Sequence, residues 1–363
     1  MIYFDNAATT QPFNTPGIFY NPSSPHSKGI EAEKALVAAR EKIAVALGPS
    51  SNQGEVIFTS GGTESNNMAI IGYALSQLRN PIFLVANPYE HPSVLVPMHF
   101  SCEQSWASGF YPDIKERYMG PSLIALSHVN HETGDINDVN AVAAKIKKNN
   151  PNAVILVDGV QAFCKENINL DGIDFYSFSG HKCHGPTGAG GLWIRKGMRI
   201  VPSLYGGGQE NGLRSGTENV AGIVQMADAV HMIHDNIAAN KVHAANVKEV
   251  FLGLKDMLPR VSVNSLGGEA SPYILNMSFL GVKGEILVHA LSEKGIYVSM
   301  GAACRSRKKA RPALEIMGFS SEIAESAIRF SFSHLNTVEE AETVRDIIID
   351  EVTRFRKILG GRF

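Results

Sequence analysis

Two kinds of hydrophobic pattern alternate along the first two thirds of the chain. Apolar residues spaced as on one face of a helix occupy residues 30–47, 64–78 and 139–148. Short apolar runs typical of buried strands occupy residues 55–59, 82–86, 123–129, 154–157 and 175–178. Because buried strands that alternate with helices form parallel sheets, this pattern predicts an α/β domain with a mainly parallel sheet.

A different pattern begins near residue 240. Helical spacing occupies residues 241–258, 284–294 and 338–359, and strand-like runs occupy residues 274–280, 296–299 and 328–332. This order is typical of a smaller α+β domain. We therefore expect a large α/β domain over residues 11–240 and a small C-terminal domain over residues 241–363, which also takes in residues 1–10.

Composition narrows the class of protein. The chain has 363 residues, of which 44% are hydrophobic, and this is enough for two domains. Its formal net charge of −2 gives no overall basic field, so nucleic acid is not expected as a direct partner. The start of the sequence lacks a signal-peptide pattern, and no apolar run is long enough to cross a membrane. We expect a cytoplasmic protein without membrane contact.

Neither a disulfide framework nor a metal site is predicted. His181 and His184 lie close together in the sequence, but no third ligand follows at metal spacing. The cysteines are too few for a secreted disulfide scaffold and include no Cys-x-x-Cys pair. These four cysteines are Cys102, Cys164, Cys183 and Cys304.

Lys182 is the first candidate for chemistry. It ends the segment Ser-Gly-His-Lys (179–182), which follows the strand-like run at 175–178 and precedes Gly185 and Pro186. A buried lysine whose pKa is lowered is the nucleophile that Schiff-base chemistry requires. A surface lysine in an ordinary turn would give the same local pattern, so other motifs must decide between the two interpretations.

Two further motifs lie where strands end. Asp158 follows the strand-like run at 154–157, where a carboxylate can keep a pyridinium nitrogen protonated or can cap a helix. Open α/β sheets bind ligands at these strand ends, so Asp158 and Lys182 are expected to face one crevice. The segment Ser-Gly-Gly-Thr (60–63) stands between a strand and a helix, which favours phosphate binding by backbone N–H groups. The alternative is a plain turn capped by Thr63.

Six segments together resemble the class V aminotransferase group of fold-type I pyridoxal phosphate enzymes, and within it the cysteine desulfurases. They occur in the family's order, at residues 4–10, 59–67, 90–91, 177–182, 214–217 and 328–331. The resemblance implies a fold-type I PLP-dependent transferase, with pyridoxal 5'-phosphate as cofactor. It also implies a homodimer, because the family's counterpart of Thr217 reaches the phosphate of the neighbouring subunit.

The resemblance also assigns roles to individual residues. It implies that Lys182 carries the cofactor, that Asp158 faces the ring nitrogen and that His91 stacks on the ring. Lys182 or His91 would move the substrate's α-proton. Arg329 would bind the substrate's carboxylate, assisted by Asn130 or His131. The remaining cofactor-binding residues implied are Gly62, Thr63, Gln161, Ser179, His181 and Thr217.

Cys304 narrows the reaction. In cysteine desulfurases a cysteine here attacks the sulfur of L-cysteine, holds it as a persulfide and leaves L-alanine. Five basic residues follow Cys304 within residues 305–311, and their charge favours the thiolate. This basic run is either a solvated surface or a docking site for a sulfur acceptor. The acceptor would be a scaffold protein or a thiolation enzyme, as in iron–sulfur cluster assembly.

One position departs from the family pattern. His131 follows Asn130 where desulfurases usually have a second asparagine, and histidine titrates near neutral pH.

Two kinds of function remain as alternatives to a cysteine desulfurase. One is another reaction of the same group, such as that of a selenocysteine lyase or an aminotransferase. The other is a non-catalytic sulfur-scaffold protein, against which Lys182, Asp158 and Cys304 argue.

Overall fold

The computed structural model describes residues 2–4, 20–112, 120–300 and 313–358. Within these ranges the strands are β1 (Ile2–Tyr3), β2 (Gly54–Thr59), β3 (Phe83–Ala86), β4 (Gly109–Tyr111), β5 (Ser122–Ser127), β6 (Ala153–Asp158), β7 (Phe175–Ser179), β8 (Gly190–Arg195), β9 (Val261–Val263), β10 (Ile274–Phe279), β11 (Ile296–Tyr297) and β12 (Ala327–Ser331). The helices are α1 (Ser27–Ala46), α2 (Gly62–Ser76), α3 (Pro92–Glu103), α4 (Val139–Asn149), α5 (Val220–His234), α6 (Ile237–Leu252), α7 (Leu254–Met257), α8 (Gly284–Glu293), α9 (Ala313–Ile316), α10 (Ser321–Glu325) and α11 (Val338–Ile358).

The described residues divide into two compact units. The larger unit lies within residues 20–128 and 138–235 and contains a seven-stranded sheet. Its strand order is β2-β8-β7-β6-β5-β3-β4, in which β4, β3, β5, β6 and β7 are parallel and β8 is antiparallel to both of its neighbours. The predicted α/β class with a mainly parallel sheet is confirmed.

Alternating residues of this sheet build two separate hydrophobic cores. In β6, Ile155 and Val157 belong to the core that contains α1, α4 and α5. Val154 and Leu156 belong to the other core, which contains α2 and α3. Because successive side chains of a strand point to opposite faces, a continuous apolar run requires helices on both faces.

The smaller unit lies within residues 2–4, 129–137, 236–300 and 313–358. It contains an antiparallel sheet of order β12-β10-β9 and a parallel pair formed by β1 and β11. Its core includes several aromatic side chains. The ring of Phe4 makes edge-to-face contacts with the rings of Phe251 and Phe332.

The division of the chain differs in two places from the predicted boundaries. The smaller unit begins at Asn236 rather than at residue 241, and it includes residues 129–137, which the sequence pattern places in the large domain. Backbone hydrogen bonds explain the second difference. Ser271 N donates to Gly134 O at 2.8 Å, and Ile136 N donates to Glu269 O at 2.7 Å. None of the described helices is both long and apolar enough to cross a membrane.

Candidate active site

The parallel strands of the larger unit bring two predicted residues to one edge of the sheet. Asp158 is the last residue of β6 and lies opposite Ser127 of β5 and Ser177 of β7. Lys182 is half-buried and ends a 3₁₀ turn, Gly180–Lys182, that directly follows β7. Since parallel strands end at the same edge, Asp158 and the turn that carries Lys182 occupy the edge where α/β sheets bind ligands.

Asp158 is buried and accepts hydrogen bonds on both carboxylate oxygens. Asn66 Nδ2 donates to Oδ2 at 2.9 Å, and Val160 N donates to Oδ1 at 3.0 Å. A carboxylate oxygen can accept more than one hydrogen bond, so Asp158 retains capacity for a third donor such as a protonated ring nitrogen. The motif at residues 59–67 included Asn66 but did not predict its hydrogen bond with Asp158. The available signal was the run of polar residues, Glu64 to Asn67, that opens a helix whose later residues are mostly apolar.

His91 is connected to the same carboxylate. It is the N-cap of α3, and its Nδ1 lies 2.8 Å from Ser93 Oγ. Asn66 Nδ2 donates to that hydroxyl at 2.9 Å. A chain of hydrogen bonds therefore joins His91 to Asp158 through Ser93 and Asn66. The sequence analysis assigned roles to His91 and Asp158, but to neither Ser93 nor Asn66.

Glu90 is a buried acid beside these residues. Its Oε2 accepts a hydrogen bond from Ser127 N at 3.1 Å, and only 4% of the residue is exposed. Burial raises the pKa of Glu90 to about 8, and the negative charge of Asp158 acts in the same direction, whereas the hydrogen bonds from Ser127 oppose the shift. Glu90 is therefore mostly neutral at pH 7.

The start of α2 fits a phosphate group. The N-cap of this helix is Gly61, and no described side chain makes a capping hydrogen bond there, so the interpretation of Thr63 as the cap is wrong. Ser179 Oγ is buried and has no hydrogen-bond partner among the described residues. A Cβ atom placed on Gly61 would lie 3.4 Å from this hydroxyl. Uncapped N–H groups beside an unsatisfied hydroxyl are a suitable anion site.

Neighbouring segments hold this loop in place. Glu64 accepts a hydrogen bond from Ser60 N at 2.7 Å and another from Arg214 Nε at 3.0 Å. Strand β8 packs closely against the loop, because a Cβ atom on Gly190 would lie 2.6 Å from Gly61 Cα. The sequence motifs included Arg214 but did not predict its ion pair with Glu64.

The other predicted cofactor residues also lie in the larger unit. Gly62 is buried in the first turn of α2, Thr63 is exposed beside it, and Thr217 is exposed on the loop before α5. Gln161 is buried, and its Oε1 lies 3.5 Å from Lys165 Nζ. Burial lowers the pKa of His181 to about 4, and the charges of Lys182 and Lys165 lower it further. The imidazole of His181 is therefore neutral at pH 7.

The predicted substrate-binding residues are neighbours within the smaller unit. Arg329 is buried in β12, and its Nη1 donates to the backbone oxygen of His131 at 2.7 Å. Asn130 Oδ1 accepts hydrogen bonds from Glu132 N and Thr133 N at 2.8 and 3.1 Å. Asn130 Nδ2 is buried without a hydrogen-bond partner among the described residues. A buried guanidinium and a buried amide donor are each suited to bind a carboxylate.

Cys304 and the basic run at 305–311 lie outside the described residues, as do residues 5–10. The described chain stops at Met300 and resumes at Ala313. Ser299 pairs with the backbone of Arg329 in an antiparallel bridge.

Comparisons with known proteins cover nearly the whole chain. The aminotransferase class-V family model matches residues 2–344. The cysteine desulfurase IscS of Dictyoglomus turgidum is 35% identical over 384 aligned positions, which cover 98% of this chain and 96% of that protein. A solved NifS-like protein is 32% identical with a TM-score of 0.88, and the match covers 97% of this chain and 99% of that one. The structure of SspA in complex with cysteine is 28% identical with a TM-score of 0.76, covering 93% and 100% of the two chains.

Proposed function

This chain belongs to the aminotransferase class-V family, and from that premise we propose that it is a cysteine desulfurase that uses pyridoxal 5'-phosphate. The similar solved structures confirm the predicted fold, a fold-type I PLP-dependent transferase. The enzyme converts L-cysteine to L-alanine and transfers the sulfur to Cys304 as a persulfide. The observation that carries this proposal is the buried, unsatisfied Ser179 hydroxyl beside the uncapped helix start, next to the turn that bears Lys182.

The residues at this helix start would hold the phosphate of the cofactor. Backbone N–H groups at Gly62 and Thr63 would donate to it, together with the Ser179 hydroxyl and a neutral His181. Thr217 of the partner subunit completes the phosphate site, so the active unit is a homodimer. The exposure of Thr217 supports this assignment, because an exposed hydroxyl is available to a second subunit.

The ring is held by residues at the strand ends. Pyridoxal phosphate, when bound, supplies a ring that stores the electron pair released at the substrate's α-carbon. Asp158 would keep the ring nitrogen protonated, His91 would stack on the ring, and Gln161 would be a further ring contact. Lys182 Nζ would hold the cofactor as a Schiff base in the absence of substrate. The two N–H donors to Asp158 support its role, because they fix the carboxylate in one orientation.

The substrate's carboxylate is bound by Arg329, and Asn130 Nδ2 or His131 provides a second donor. The thiolate of Cys304 then attacks the sulfur of L-cysteine. A sulfur–sulfur bond forms, the carbon–sulfur bond of the substrate breaks, and its electron pair remains on carbon. That carbon takes up a proton, which gives L-alanine and the Cys304 persulfide. The acceptor is a scaffold protein of iron–sulfur cluster assembly or a thiolation enzyme.

The proposal is tested by recording the absorbance of the purified protein with added pyridoxal phosphate, before and after L-cysteine. Sulfide, in the presence of a thiol reductant, and alanine are assayed in the same sample. We expect a cofactor band that changes with L-cysteine and both products in equal amounts. The band should be absent in Lys182→Ala. Cys304→Ala should keep the band but release no sulfide, whereas Cys102→Ala, at a half-buried cysteine, serves as the matched control.

Each other outcome has a definite meaning. A protein without a cofactor band, even with pyridoxal phosphate in excess, refutes the proposal. A band without sulfide, or turnover that survives in Cys304→Ala, assigns the chain to another reaction of the family. The same assay is then repeated with selenocysteine as the substrate, and with L-cysteine together with an amino-group acceptor.

A further inference from the structure

The hydrogen bonds of His91 determine which of its ring nitrogens carries the proton. The backbone N–H of Ser93 donates to His91 Nδ1 at 3.1 Å. A backbone N–H group can only donate, so Nδ1 must accept with its lone pair. A neutral imidazole that accepts at Nδ1 carries its proton on Nε2.

The Ser93 hydroxyl acts in the same direction. Its Oγ lies 2.8 Å from His91 Nδ1. Since Nδ1 carries no proton in this tautomer, the hydroxyl must be the donor in this contact. Asn66 Nδ2 donates to Ser93 Oγ at 2.9 Å, which leaves the hydroxyl proton to point at the ring.

Asn66 is in turn oriented by Asp158. The side chain of Asn66 is fully buried, and its amide nitrogen donates to both Ser93 Oγ and Asp158 Oδ2, each at 2.9 Å. The reversed amide would place its oxygen against the carboxylate, which is unfavourable because both groups are acceptors. The direction of donation therefore runs from Asn66 to Ser93 and from Ser93 to His91.

We infer that Ser93 and Asn66 hold His91 as the Nε2–H tautomer, so that His91 acts as a hydrogen-bond donor and not as the catalytic base. This inference rests on the proposed function, in which His91 touches the cofactor. A base needs an available lone pair, and the lone pair of Nδ1 is engaged by two donors. A neutral imidazole at a helix N-terminus can polarise a bound group through its N–H instead.

The alternative left open by the sequence is thereby decided. Lys182 Nζ is then the group that accepts the proton from the substrate's α-carbon, and the electron pair of the broken carbon–hydrogen bond is stored by the ring. Ser93 and Asn66 are positioning residues, because they act through His91 and Asp158.

Nitrogen NMR tests the tautomer directly. The protein is labelled with ¹⁵N-histidine and measured with and without pyridoxal phosphate, and the His91 signals are assigned by their loss in His91→Gln. We expect an N–H nitrogen at Nε2 and a nitrogen without a proton at Nδ1 in both samples. An Nδ1–H tautomer, or a ring that gains a second proton near neutral pH, overturns the inference.

Two substitutions at one position test the role of Ser93. Ser93→Ala removes the hydroxyl donor, whereas Ser93→Thr keeps it at the same place. We expect a population protonated at Nδ1 to appear below neutral pH in Ser93→Ala and not in Ser93→Thr. Identical spectra in all three proteins would show that the hydroxyl does not position the ring.

The activities of two His91 variants show whether His91 acts as a hydrogen-bond donor or as a base. Glutamine retains an N–H donor but cannot accept a proton, so His91→Gln should be clearly more active than His91→Ala. If His91 were the base, both variants would lose a similar factor, about 10²–10⁴ in kcat. The NMR result does not depend on turnover, so it remains informative even if the chain proves not to release sulfide.

Discussion

Replacement of Glu90 by glutamine should make the protein less sensitive to alkaline pH. Glu90 is fully enclosed, and burial raises its pKa from 4.5 to about 8. Its Oε2 accepts a hydrogen bond from Ser127 N, which the oxygen of a glutamine side chain can also accept. Glu90→Gln therefore removes the ionisation and keeps the shape and the hydrogen bond.

The sign of the effect follows from the direction of the pKa shift. The pKa of Glu90 is higher in the folded protein than in the unfolded protein, where it is near 4.5. Such an acid makes its full contribution to the free energy of unfolding at pH values below the unfolded pKa. That stabilisation is lost as the pH rises through the folded value of about 8. At about 1.4 kcal/mol per pKa unit, the complete loss is roughly 5 kcal/mol, and about 3.5 kcal/mol of it falls between pH 5 and pH 8.

Urea unfolding of the wild type and Glu90→Gln at several pH values between 5 and 8 measures this difference. We expect the variant to gain stability over the wild type progressively as the pH rises. Any cost of burying the amide is independent of pH and shifts every difference equally. Glu41→Gln, at an exposed position of α1, is the matched control. A difference that stays constant over this pH range would refute the reasoning, because Glu90 would then ionise alike in both states.

Two further predictions concern the phosphate loop and substrate binding. Gly190→Ala should lower the free energy of unfolding by about 1–3 kcal/mol, because the new Cβ would lie 2.6 Å from Gly61 Cα. It should also weaken pyridoxal phosphate binding in a titration, whereas Gly109→Ala, whose Cβ meets only ordinary contacts, should do neither. Arg329→Lys should raise KM for L-cysteine about tenfold or more with a smaller change in kcat, because lysine lacks the planar pair of donors. An unchanged KM, or an equal rise in the exposed control Arg79→Lys, would contradict the assignment of Arg329.

The hydrophobic pattern predicted most of the elements on which the candidate site rests. The apolar runs before Asp158 and Lys182 are the strands β6 and β7, with ends within two residues of those expected. Such runs are readable because burial on both faces of a sheet leaves a local signature in the sequence. Other elements left a weaker signature. Strand β8 begins with Gly190 and Gly191, and α3 contains Pro97, so neither was predicted.

Contacts between distant residues were decided only by the tertiary structure. Asn66 and Asp158 are 92 residues apart in the sequence, yet they share a hydrogen bond on which the orientation of His91 depends. Residues 129–137 join the smaller unit because their backbone groups pair with residues 269–271. The sequence by itself determined where strands end and which chemical groups stand there. The direction of each hydrogen bond and the protonation of Glu90 depend on neighbours that folding brings together, which local periodicity does not encode.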